Sequence, residues 1–130
     1  MLRPFLLVPA ALLLAACNDQ GRLPDEASIA PARGAALFAE GCASCHGADG
    51  TGGQGPDLTG ITAAAGGTFP RDRVMAQIDG LGRHGDPDAV MPEFGAAGMG
   101  NTVIVEENGI GTPVPADLLA LANYLETLQR

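Results

Sequence analysis

EGCASCHGADG, residues 40–50, decides how the rest of the chain is read. Cys42 and Cys45 stand three positions apart, and His46 follows the second directly. The stretch before them, PARGAALFAE at 31–40, is alanine-rich and helical in composition. On a helix, residues three apart share a face, so both thiols project the same way. The stretch after them, 47–60, is rich in glycine and holds Pro56, which excludes a regular helix.

Four chemistries use such a cysteine pair. A thioredoxin-like C-x-x-C needs a strand before it, and here a helix precedes it. A zinc site wants four donors, but beyond this motif only His84 and Cys17 remain among the histidines and cysteines. An internal Cys42–Cys45 disulfide gives His46 no role. Covalent attachment of a c-type haem uses all three residues. Thiols at i and i+3 reach the two vinyl groups on one porphyrin edge, and the adjacent imidazole faces the iron.

The leading residues read as a separate unit. FLLVPAALLLAA at 5–16 is an apolar run behind the basic start MLR. It is too short to span a bilayer and suits a secretory leader. Its end, Leu14-Ala15-Ala16-Cys17, resembles the bacterial lipobox, which implies cleavage before Cys17 and acylation of that residue. Residues 18–30 are polar, with Gly21 and Pro24, and read as a tether. Acyl chains contribute roughly 0.8 kcal/mol per buried methylene, and two chains make an anchor stable. The organisation expected is a leader at 1–16, a lipidated tether at 17–30 and one domain at 31–130.

From about Pro31 to Gln129 the chain resembles the class I c-type cytochromes. That resemblance implies an all-α fold with three main helices around one covalent haem c. It implies that Gly34 and Phe38 pack the first helix against the last, with Leu121, Tyr124 and Leu125 as their partners. Independently, Leu118, Leu121, Ala122, Leu125 and Leu128 form one helical stripe starting near Pro115-Ala116-Asp117. In the family the G-P-x-L-x-G loop lies under the haem. The resemblance therefore gives Pro56 the carbonyl that accepts a hydrogen bond from the ligand histidine, and puts Leu58 near the ring.

The second axial ligand is sought among the methionines. Met75 lies in RDRVMAQIDGL at 71–81, where Val74, Ile78 and Leu81 make a helical stripe stopped by Gly80 or Gly82. Met91, in Val-Met-Pro-Glu-Phe, resembles the family's distal ligand, its backbone extended by Pro92. Met99, flanked by glycines, is the competitor, and His84 reads as a solvent-facing loop residue. Between this loop and the last helix, Thr102-Val103-Ile104-Val105 is β-branched and Asn108-Gly109 is a hairpin signal. A small hairpin at about 102–114 follows; covering a haem edge, facing a partner and plain decoration all remain open for it.

Seven Lys and Arg against 15 Asp and Glu give a formal charge of −8, one unit more negative once Arg3 leaves with the leader. Such a surface disfavours nucleic acid and favours cationic redox partners. The reading is a single-electron carrier on the periplasmic face of a bacterial envelope, its iron held by His46 and Met91, rather than an enzyme. Two alternatives share the sequence: the haem subunit of an oxidoreductase complex, and a ligand-binding sensor with an open distal site.

Overall fold

The computed structural model describes residues 29–83 and 85–130. Cys17, the leader, the tether up to residue 28 and His84 lie outside the described residues.

Helix α1, Pro31–Gly41, opens with proline in its first turn. The missing N–H costs nothing there, because the first helical donors have no partner within the helix. It ends at the cysteine motif, where the short α2, Ala43–His46, continues its direction of bonding: the Cys42 N–H donates to Phe38 and the His46 N–H to Cys42. A short α3, Ile61–Ala64, follows the glycine-rich loop. Helix α4, Arg71–Asp79, stops at Gly80, whose φ of 99° is the left-handed cap that glycine adopts without strain. Helix α5, Ala116–Thr127, starts at Pro115 with Asp117 in its first turn. Its first N–H groups are met by backbone: Ala116 donates to the Asn101 carbonyl and Asp117 to that of Met99.

Helices α1 and α5 hold each other most closely. Gly34 is buried, and a Cβ built on it would lie 2.7 Å from the Ala120 carbonyl carbon and 2.7 Å from Tyr124 Cβ. Only glycine permits that approach. One turn on, the rings of Phe38 and Tyr124 stand 5.4 Å apart between centroids. At the rim, Arg33 donates to both Asp117 carboxylate oxygens, at 2.8 and 2.6 Å. Of the expected partners, Tyr124 meets Gly34 and Phe38 directly, joined by the Ala120 backbone, and Leu121 and Leu125 lie in the same buried cluster as Phe38.

Helix α5 is buried beyond its stripe. Leu119 and Ala120 are fully covered together with Ala122, because α1, α4 and β2 all pack on this helix. A helix enclosed on several sides loses the polar face that a one-sided stripe presumes. Leu81, expected in the α4 stripe, is 67 % exposed instead. The left-handed Gly80 ends the helix one residue earlier and turns Leu81 out of phase.

The hairpin is present. Strands β1, Thr102–Glu107, and β2, Ile110–Pro115, pair antiparallel from Thr102 with Pro115 to Glu107 with Ile110. Asn108 and Gly109 form the loop with φ of 52° and 77°, the positive pair a two-residue turn of this hand requires. The paired Val103 and Val114 are buried in the core. The hairpin lines an open groove shared with α4, around Met75 and Leu118.

Candidate cofactor site

The cleft that matters opens between the cysteine motif, α4, α5 and the Met91 segment, with a volume of about 710 Å3. Cofactor sites usually fall at ~300–1,000 Å3 with mostly apolar walls. Cys42, Cys45 and His46 all line this cleft. Both thiols are free, Cys42 half-buried and Cys45 exposed. Burial, and then the neighbouring Cys45, push the Cys42 thiol above its ordinary value.

His46 is fixed from behind. Its Nδ1 lies 2.9 Å from the Pro56 carbonyl oxygen. A carbonyl only accepts, so the hydrogen sits on Nδ1 and Nε2 keeps its lone pair for a metal. Gly55 gives the ring its room: a Cβ there would lie 2.8 Å from Cε1 and 2.9 Å from Nδ1. The loop is tied to the motif by backbone bonds, Gly52 donating to His46 and Gly55 to Cys45, both at 2.8 Å. Threonine bonds stiffen it further. Thr51 donates to Asp49 and Thr59 to Asp57, which holds both carboxyls below the usual range. Leu58 lines the cleft as well, and Gln129 donates to its carbonyl at 3.0 Å, fastening the loop to the end of α5.

Further walls include Phe38 of α1, Ile61 of α3, Arg73, Val74, Gln77 and Ile78 of α4, Leu121 and Leu125 of α5, and Val90, Met91, Pro92 and Phe94. Met91 is half-buried there. Met75 and Met99 are not in this lining; both belong to the buried core, 9 % and 8 % exposed. Two thiols, an imidazole with a free Nε2 and a thioether thus share one largely apolar cleft. That donor set fits an iron porphyrin.

The family model described as Cytochrome c matches residues 31–129. The chain belongs to the cytochrome c family. Among curated proteins it is similar to cytochrome c55X of Stutzerimonas stutzeri, with 37 % identity over 95 residues. That match covers 73 % of this chain and 69 % of the relative. The cytochrome c family carries covalent haem c with iron, and its members are haem-bearing electron-transfer proteins that work with redox partners.

In this cytochrome Cys42, Cys45, His46, Pro56, Leu58 and Met91, all singled out by the sequence, line one cleft. It did not indicate Gly55 as the seat of the imidazole, although its place directly before Pro56 is a usable signal. Gln77 and Phe94 were also missed. Gln77 interrupts the apolar residues of α4 at a position facing the cleft, and a polar residue there is a mark that can be sought. The hairpin contributes nothing to this lining among the described residues.

Proposed function

We propose that this cytochrome is a one-electron carrier whose haem iron is held by His46 and Met91, tethered through acylated Cys17 on the periplasmic face of a bacterial membrane. The observation that carries the reading is the company of Met91. It shares the cleft with Cys42, Cys45 and His46, whereas Met75 and Met99 lie in the core.

Bound there, haem supplies a single-electron couple between ferrous and ferric iron. The chain does the rest. Cys42 and Cys45 would hold the porphyrin edge through thioether bonds. His46 offers Nε2 while the Pro56 carbonyl holds its ring orientation. The thioether of Met91 is a soft, neutral donor that favours the ferrous state and raises the potential. Val74, Ile78, Leu121 and Leu125 line the cleft and would exclude water from a ring bound there. The acidic surface favours cationic redox partners.

Haem-loaded Met91→Ala and Met99→Ala variants test the ligation. Met91→Ala should lose the near-infrared band of methionine-ligated ferric haem, lower the potential and admit carbon monoxide to the ferrous iron. Met99→Ala should keep all three properties of the wild type. The reverse pattern would make Met99 the ligand, and no change in either would leave the carrier reading without its distal donor. Mass spectrometry of the mature chain tests the tether: a terminus other than acylated Cys17 removes it.

A further inference from the structure

The segment that carries Met91 is packed only in part: Met91 and Phe94 rest against the core half-buried. Val90 is 97 % exposed, so the residue beside the thioether does not anchor it. Polar contacts from α4 and the turn after it do so instead. Arg83 donates through Nη1 to the Met91 carbonyl and through Nη2 to the Gln77 carbonyl. Gln77 lies in the last turn of α4, where helix carbonyls lack partners within the helix. The guanidinium presents its donors in a rigid planar fork, so meeting one carbonyl fixes where the other must be. The Gln77 side chain adds a contact from Nε2 to Met91 Sδ at 3.9 Å.

Bonds on either side of Arg83 follow the same plan. The Gly85 N–H donates to Glu93 Oε1 at 3.2 Å, and the Phe94 N–H to the Ile78 carbonyl at 3.2 Å. A Cβ on Gly80 would lie 2.8 Å from Glu93 Cγ, so the end of α4 and the 91–94 segment are already in close contact. Of these contacts, only those of Arg83 and Gln77 reach Met91 itself.

We infer that Arg83 is the positioning residue for the axial methionine: its guanidinium bridges the Gln77 and Met91 carbonyls and keeps the Met91 thioether turned into the cleft. This rests on Met91 being the distal ligand. An external ligand competes for iron only when the thioether leaves. Its apparent affinity therefore scales with the fraction of molecules in which the segment has opened. The Arg83 bridge lowers that fraction, which makes the protein a closed carrier rather than a ligand binder.

The test uses the haem-loaded wild type with Met91→Ala, Arg83→Met and Arg83→Lys. Three properties are measured: the ferric near-infrared band, imidazole affinity of the ferric form, and the thermal midpoint. Arg83→Met should bind imidazole at least about tenfold more tightly, as expected for loss of charge-assisted hydrogen bonds. Its methionine band should fade on mild warming, at temperatures where the wild-type band persists. Lysine can reach one carbonyl but not bridge both in a fixed fork, so Arg83→Lys should fall between. An Arg83→Met protein with wild-type band and imidazole affinity overturns the inference, even if its midpoint drops, because a merely structural role moves the midpoint alone. If that variant does not fold, Arg83→Lys decides by the same two readouts. A wild type without the band, or one whose band survives Met91→Ala, overturns the ligation and the bridge together. A normal response to Met91→Ala with silent Arg83 variants overturns the bridge only.

Discussion

Replacing Gly34 by alanine probes how the first and last helices meet. The added Cβ would lie 2.7 Å from the Ala120 carbonyl carbon and 2.7 Å from Tyr124 Cβ. Carbon atoms rest at about 3.5–4.0 Å, so the helices must part by roughly 1 Å. The obstacle includes backbone, and no change of rotamer removes it. A gap of that size forfeits about a quarter to a half of each dispersion contact along the interface. Overpacking of this kind costs about 1–3 kcal/mol, and an unyielding carbonyl places it at the upper end. Alanine returns up to about 1 kcal/mol as the better helix former. The net loss is about 2 kcal/mol, or about 8–16 °C in thermal midpoint for a domain of this size. Thermal unfolding of the haem-loaded protein, followed by circular dichroism, measures it. Gly60→Ala is the control, since Gly60 has φ of −101° and no atom within 4 Å of a built Cβ. That control should stay within about 0.5 kcal/mol of wild type. A Gly34→Ala midpoint equal to the control, or above wild type, would refute the close crossing.

The ion pair beside that crossing carries a pH signature. Hydrogen bonds from Arg33, and then its charge, hold the Asp117 carboxyl below the usual range, so the unfolded chain takes up the proton first. The contribution is therefore present above the ordinary aspartate pKa and lost as pH falls through the lower folded value. With side chains 55 % and 21 % exposed, the pair is screened by solvent and contributes little. Asp117→Asn should lower the neutral denaturation midpoint slightly and converge with wild type in acid; a gap that widens on acidification would contradict the sign. Gly55→Ala should displace the His46 ring and weaken its bond to Pro56, since a Cβ would lie 2.8 Å from Cε1. Less electron donation to iron should raise the potential by tens of millivolts, on the order of one hydrogen bond. An unchanged redox titration would mean that the loop yields and the ring does not.

What could be read in advance followed local rules. The cysteine motif sits on a helix because its composition and spacing agree, and Asn108-Gly109 made a hairpin because few residue pairs accept two positive φ values. The helix α5 stripe was legible, but burial of Leu119 and Ala120 was not. It arises from several elements converging on one helix, and no single periodicity encodes that. Leu81 was misread because periodicity runs on past a left-handed glycine unless the cap is placed first. The bridge from Arg83 to the Met91 carbonyl has no sequence mark at all. A side chain bonding to backbone across a turn leaves no repeat, no spacing and no demand on the acceptor's residue type.

The helices that clasp each other are the first and the last of the domain, and their ion pair joins residues 84 positions apart. Closing so long a segment carries an entropy cost, though it grows slowly, by roughly 0.6 kcal/mol per doubling of length. The order of synthesis matters more. At about 5–20 residues per second, the cysteine motif is made several seconds before α5 exists. During that interval α1 has no partner and the cleft lacks the wall that α5 supplies. Until α5 is docked the thiols stand at an open cleft, and its docking adds Leu121 and Leu125 to the wall.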